Sequence, residues 1–204
     1  MEKLKSTITN MVLVLTGVAI ITGFVLAFVN DITKEPIAMQ KKKTLEDGIK
    51  TVMGGGKLTV AKTDTVVQND KGKELTYIIY QTKDENNNDQ GAAVESTTSG
   101  FGGSLKILVG FNTEGEILGY TLLEHAETPG LGAKADNWFQ KGQKGDIIGK
   151  KPAEPLTVSK DGGQIDAITA STITSRAFLL AVNNAYKAYK VTPVDGMSGA
   201  TKQE

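Results

Sequence analysis

The sequence contains no cysteine in its 204 residues. That absence excludes disulfides, cysteine-ligated iron–sulfur clusters, thiolate zinc sites, cysteine nucleophiles and a lipid-modified cysteine anchor. There is a single histidine, His125, so a multi-histidine metal site cannot form within one chain. Neither charge sign is in excess, with 23 basic residues against 23 acidic ones, and no basic stripe marks a nucleic-acid partner. The chain has no Walker loop or Rossmann glycine fingerprint, and no repeat of solenoid length. Redox chemistry, if the chain performs any, must therefore come from a bound organic cofactor.

What is present starts with an uncharged apolar run over residues 11–29, MVLVLTGVAIITGFVLAFV. Its length falls within the roughly 17–25 residues that cross a bilayer as a helix. It also exceeds the roughly 7–15 residues of a secretory h-region, so it reads as a retained anchor in a lipid bilayer rather than a cleaved signal. Lys3 and Lys5 precede it, whereas Lys34, Lys41, Lys42 and Lys43 follow. A simple lysine count therefore gives no support for a cytoplasmic N-terminus.

The remainder is long enough for one domain with a proper core. Residues 36–53 read as a helix of their own, with Ile37, Leu45, Ile49 and Met53 at helical spacing and Gly54–Gly56 as its stop. Alternating, β-rich segments predict strands at 58–68, 75–82, 92–97, 105–111 and 116–123. Asn69-Asp70-Lys71-Gly72 reads as a turn, and Asn112-Thr113-Glu114-Gly115 as a four-residue hairpin loop. A short helix is expected at 134–140, connecting loops at 141–163 with a short strand near 156–158, and a strand end at 164–168. A second long helix is expected at 172–190, with Ile173, Ala177, Leu180, Ala181 and Ala188 lining one side. The predicted fold class is α+β: one N-terminal transmembrane helix, then a single globular domain of mostly antiparallel sheet with flanking helices. The expected organisation is a short tail (1–10), the membrane helix (11–29), a linker and helix (30–57), the domain (58–190) and a polar tail (191–204).

Two segments carry candidate chemistry. In the first, Thr169-Ala170-Ser171-Thr172-Ile173-Thr174-Ser175, five of seven residues bear hydroxyls where a helix begins. A helix N-terminus suits a phosphate, although one hydroxyl suffices for ordinary capping. The second is the loop His125-Ala126-Glu127-Thr128-Pro129-Gly130-Leu131-Gly132. Its proline and two glycines would let the backbone approach a flat ligand, or simply connect two elements.

Together with Gly100-Phe101-Gly102-Gly103 and Val109-Gly110-Phe111, these segments resemble the FMN-binding domain family. Within it, the chain is most similar to the G component of the Rnf electron-transport complex, and less so to the C component of the sodium-pumping NADH:quinone reductase. In that family a motif Asp-x-x-(Ser/Thr)-Gly-Ala-(Thr/Ser)-x-(Thr/Ser) carries FMN on a threonine through a phosphoester. The resemblance places Asp166 at the acid, Thr169 at the first hydroxyl, Thr172 at the acceptor and Thr174 at the last hydroxyl. Ala170 stands where glycine is usual, and Ser171, where alanine is usual, adds a hydroxyl beside the acceptor; Ser175 follows. The tail sequence Asp195-Gly196-Met197-Ser198-Gly199-Ala200-Thr201 fits the first seven positions, but Gln203 replaces the last hydroxyl and no long helix can follow.

The resemblance implies that a flavin transferase loads the FMN, and that the ring lies near Glu127, Thr128, Gly130, Leu131 and Gly132. It further implies electron relay among the subunits of a ferredoxin- and NAD-linked complex that moves Na⁺ or H⁺. The N-terminus would be cytoplasmic, and the domain would lie outside the bacterial inner membrane. Two other readings stay open on sequence alone: an anchored flavoprotein of another extracytoplasmic electron chain, and an interaction domain without flavin.

Overall fold

A computed structural model of the chain describes residues 7–70 and 73–191. Lys71 and Gly72 of the expected turn, and the tail motif at 195–201, lie outside the described residues. By its internal contacts the chain divides into two compact units, with the boundary between Thr44 and Leu45.

The first unit is formed by most of helix α1 (Ile8–Val52), which is long and apolar enough to cross a membrane. The expected break between an anchor and a separate helix at 36–53 is absent: α1 is continuous and contains Pro36. Proline removes one ladder donor and crowds the preceding turn, yet a single such lesion does not end a helix of this length. Nearby, Thr33 Oγ1 donates to the Val29 carbonyl at 2.8 Å. Ile37, expected on an apolar face, is exposed, whereas Ile49, Val52 and Met53 are buried. The glycines end α1 as expected: Gly54 and Gly55 have positive φ, and Gly55 N donates to Lys50 O at 2.8 Å.

The second unit is built on five antiparallel strands in sequential order: β1 (Thr59–Asp70), β2 (Lys73–Lys83), β3 (Asp89–Ser99), β4 (Ser104–Phe111) and β5 (Ile117–His125). The sheet is covered on both faces. On one face, Ile79, Val94, Ile107 and Val109 form the main core with α3 (Thr172–Val191). The other face carries Ala93, Leu108 and Tyr80, which pack with Ile49, Val52 and Met53 from the end of α1. The short helix α2 (Ala135–Trp138), entered through a 3-10 turn at Gly132–Lys134, caps the main core. The strand pieces expected near 156–158 and 164–168 reduce to one parallel bridge, Val158↔Ile165.

Aromatic packing and backbone anchors fix α3 on the sheet. Phe178 stacks on Phe139 (centroids 4.3 Å apart) and meets Tyr120 edge-on. The Tyr120 hydroxyl donates to Ala135 O and accepts from Phe139 N, so its polar end is satisfied inside the core. Burial pushes this phenol above its ordinary range, so it stays protonated and able to donate. Asn183 holds Leu156 through both backbone groups, and Thr98 Oγ1 donates to Ala177 O. The buried face of α3 runs through Ala177, Phe178, Ala181, Val182 and Ala185; Ile173 and Leu180 are both 53% exposed. Of the expected apolar side, Ala177, Ala181 and Ala188 are buried, and only Ile173 and Leu180 turn outward. Alanines at several registers left the helix face undetermined, and Phe178 decided it.

Gly110 and Gly119 are direct partners on β4 and β5. A Cβ on Gly110 would overlap the Val52 carbonyl, and one on Gly119 would come within 3.0 Å of Val52 Cα. The paired glycines thus form the slot that seats the end of α1. Gly110→Val is expected to lower stability by about 1–3 kcal/mol through overpacking against backbone. Denaturant unfolding checks this, and an unchanged midpoint would exclude the slot.

Candidate functional site

The two segments marked by the sequence come together at one cleft of ≈ 360 Å³. Phe101, Glu127, Thr128, Leu131 and Gly132 line one side, and Ala170 to Thr174 line the other. Its size falls within the roughly 300–1,000 Å³ usual for small-molecule sites.

Glu127 organises the cleft from beneath. It is only 6% exposed. Its Oε1 accepts from Phe101 N at 2.8 Å and from Gly102 N at 3.3 Å, while Oε2 accepts from Thr174 Oγ1 at 2.7 Å. The carboxylate thus joins the β3–β4 turn, the loop after β5 and the first turn of α3. A Cβ on Gly132 would overlap Oε2 and come within 2.8 Å of Thr174 Oγ1. Gly132 is therefore glycine to admit this hydrogen bond. Gly130 has φ +76 and open space around it, so it serves the turn. That turn closes on Thr128 O, which accepts from Leu131 N and Ala133 N; the Thr128 side chain is exposed.

The hydroxyls at the start of α3 divide by role. Ser175 Oγ accepts from Ile168 N and donates to Ser171 O, entirely inside the protein. Thr174 is buried on Glu127. Ser171 is 8% exposed, Thr169 is exposed, and Thr172 is partly exposed on the cleft wall. Thr172 Oγ1 accepts from Lys160 Nζ at 3.2 Å. Asp166 is exposed; its Oδ1 accepts from Ser159 Oγ at 3.3 Å, and its carbonyl accepts from Trp138 Nε1 at 2.8 Å. His125 Nδ1 accepts from Glu127 N at 3.3 Å, a contact that shapes the loop.

Sequence reading missed Lys160, Asp161 and Arg176, which stand beside this wall. Arg176 grips Asp161 with Nε and Nη2 at 2.7 and 2.6 Å. The hydrogen-bonded guanidinium holds the Asp161 carboxyl below the usual carboxylate range. The pair is therefore formed at neutral pH and is lost only as pH falls through that lowered value.

The donor set fits a phosphate-bearing flat cofactor. Ser171 N donates to Ile168 O and Ser175 N to Ser171 O. Between them lie the N–H groups of Thr172, Ile173 and Thr174, in the helix turn where ladder bonds are not made. Lys160 supplies a cation, and Phe101, Leu131 and Ile173 supply exposed apolar surface at the rim.

Substitutions at two positions check this geometry. Glu127→Ala should lower stability by about 2–3 kcal/mol by stripping acceptors from three donors, with Glu127→Gln costing less than half as much. Equal unfolding midpoints for all three proteins would remove Glu127 from this role. Ala170 sits at φ +60, in the left-handed region where a Cβ is strained. Ala170→Gly is therefore expected to raise stability by about 0.5–1 kcal/mol despite the added freedom of the unfolded chain. A thermal melt in which the variant unfolds earlier would contradict it.

Comparison with known proteins identifies the family. The family model described as an FMN-binding domain matches residues 100–187, and that of the RnfG N-terminal region matches residues 1–52. The G component of the ion-translocating oxidoreductase complex of Shewanella amazonensis is 31% identical over 192 residues, covering 88% of this chain and 86% of that protein. Its counterpart in Vibrio cholerae serotype O1 is 33% identical over 180 residues, covering 85% and 86%. That of Shewanella baltica is 44% identical over 90 residues, 42% of each chain. The chain belongs to the RnfG family of ion-translocating oxidoreductase complex subunits, with an FMN-binding domain behind an RnfG-type N-terminal region.

Proposed function

We propose that this chain is the membrane-anchored, flavin-bearing subunit of an Rnf-type complex, with FMN joined to Thr172 through a phosphoester. The observation that carries this reading is the sorting of hydroxyls at the start of α3. Thr174 and Ser175 are committed to internal hydrogen bonds, whereas Thr172 stands on the cleft wall with a lysine ammonium on its oxygen. A phosphoester there would lie beside both the cation and the first turn of α3. The apolar rim of Phe101, Leu131 and Ile173 is the surface available to a flat ring system.

When bound, FMN supplies one- and two-electron chemistry. The chain's own part is to hold it, limit its motion and set its surroundings. In this reading Glu127 acts on the cofactor indirectly, by fixing the three segments that wall the cleft. Thr128, Gly130 and Leu131 form the turn that faces α3 across the cleft. The flavin domain spans residues 58–190 together with the end of α1, whose Ile49, Val52 and Met53 pack on its sheet, and the stretch from residue 30 to that point connects it to the anchor.

Electrons would pass to and from neighbouring subunits of a ferredoxin:NAD-type complex, and a flavin transferase would load the site. The anchor crosses the bacterial inner membrane once, with the domain on the extracytoplasmic side. Residues 11–29 carry no charge, so ion movement belongs to other subunits.

Intact mass after coexpression with a flavin transferase tests the attachment. The unsubstituted chain should gain one FMN less one water and fluoresce in a denaturing gel. Thr172→Ala should lose both signals, and Thr201→Ala should keep both. The reverse pattern would move the site to the tail.

A further inference from the structure

Three consecutive residues of the 3-10 turn Ser159–Asp161 reach the segment that begins α3. Ser159 Oγ donates to Asp166 Oδ1, Lys160 Nζ donates to Thr172 Oγ1, and Asp161 accepts two hydrogen bonds from Arg176. The turn itself is firmly built. Val158 bridges Ile165, Ser159 N donates to Ile165 O, and Ile165 N donates to Thr157 O. Gly162 closes it in the left-handed region at φ +84.

The geometry points to Lys160 as the residue that orients the Thr172 hydroxyl for phosphoester formation and afterwards neutralises the phosphoester's charge, held at its post by the Asp161–Arg176 pair. This rests on the reading that Thr172 is the acceptor. The reasoning starts from what an ammonium can do. It has three donors and no acceptor, so its bond occupies a lone pair on Thr172 Oγ1. The hydroxyl's own proton must then point to another acceptor, away from Lys160. Asp161, the neighbouring carboxylate, is already occupied by Arg176 in a bidentate bond. Among the described residues Lys160 has no carboxylate at ion-pair distance. Its charge therefore remains available to an anion on Thr172. Lysine suits that role as a point charge on a flexible stem, within reach of non-bridging oxygens on a phosphorus bonded to Oγ1.

The group transfer balances without any redox step. Thr172 Oγ1 forms a bond to the flavin-side phosphorus of a flavin dinucleotide, and the pyrophosphate bond to the nucleoside monophosphate breaks. The monophosphate leaves, and the hydroxyl proton passes to a base of the transferase. The product is a phosphodiester with one negative charge facing Lys160.

The test uses the full chain in detergent, produced without flavin and then incubated with a flavin transferase and flavin adenine dinucleotide. Attachment is followed by in-gel fluorescence and intact mass. Lys160→Gln should slow attachment about tenfold, and Lys160→Arg should restore most of the rate. Lys160 is exposed, so the unloaded Lys160→Gln chain should melt with the wild type. In the loaded proteins, the ³¹P resonance should move in Lys160→Gln and stay near the wild-type position in Lys160→Arg. Wild-type attachment rate together with an unmoved ³¹P resonance in Lys160→Gln would overturn the role of Lys160. If Thr172→Ala nonetheless loses the flavin, the acceptor assignment survives that result. If Thr172→Ala is labelled as well as wild type, the acceptor assignment itself fails, and the inference with it. One measurement needs no variant: the loaded wild-type chain should show a through-space contact between phosphorus and the Lys160 side chain. Absence of that contact overturns the proposal.

Discussion

A single buried carboxylate fixes the geometry of the cleft. Glu127 accepts hydrogen bonds from two backbone N–H groups near residue 101 and from the Thr174 hydroxyl, and so ties both segments to its own loop. A carboxylate taken out of water is costly unless its oxygens are satisfied. Its three hydrogen bonds offset that cost, and removing the acceptor would leave their donors unsatisfied. The carboxylate also accounts for the surrounding glycines. A Cβ on Gly100 would overlap Oε1, one on Gly132 would overlap Oε2, and one on Gly102 would overlap the Ala126 carbonyl. These positions are small because a carboxylate and its loop fill the space. No approach of ligand to backbone is needed to explain them.

That constraint sets what the start of α3 can offer. With Thr174 tied to Glu127 and Ser175 tied to Ile168 and Ser171, the helix cannot rotate about its axis without breaking buried bonds. Thr172, two residues before Thr174, is then held on the cleft side. Hydroxyls that look equivalent in sequence thus have different functions: some fix the rotation of the helix, and one is presented. The Asp161–Arg176 pair adds a second brace four residues further along the helix, so the presented position is fixed from two directions.

Much of the fold was legible because it is written in local patterns. The five strands, the Asn112–Gly115 hairpin loop and the limits of α3 follow from alternation, turn residues and hydroxyl-rich starts, all short-range signals. The continuity of α1 was not legible. Residues 36–53 read as a helix separate from the anchor, whereas Pro36 removes only one ladder donor and the long helix runs through it. The buried face of α3 was not legible either, since Ile173 and Leu180 look like core but Phe178 and its stack with Phe139 turn them outward. At the site, the two segments were visible but the division of labour was not. Glu127 lies 47 residues from Thr174, Lys160 lies 12 from Thr172 and Asp161 lies 15 from Arg176. Only the folded chain brings these partners together.

The cleft's openness gives a physical reason for a covalent linkage in the proposed reading. Its apolar rim is exposed, with Phe101 at 69%, Ile173 at 53% and Leu131 at 41%. Well-retained small ligands usually bury about 70–90% of their surface. A cofactor held without a covalent bond exchanges with the free pool, the faster the less of it the wall buries. With the domain on the proposed extracytoplasmic side, a lost cofactor would be diluted beyond recovery. In that reading a bond to Thr172 would remove that exchange and would leave the cleft to orient the ring and tune its surroundings. In the same reading an exposed rim would leave one side of the ring accessible to a redox partner. Electron transfer between subunits needs close approach, which a deep pocket would obstruct. Tight retention and open access conflict if both depend on burial. Fixing the phosphate end at a rigid helix start, while leaving the rim exposed, satisfies both.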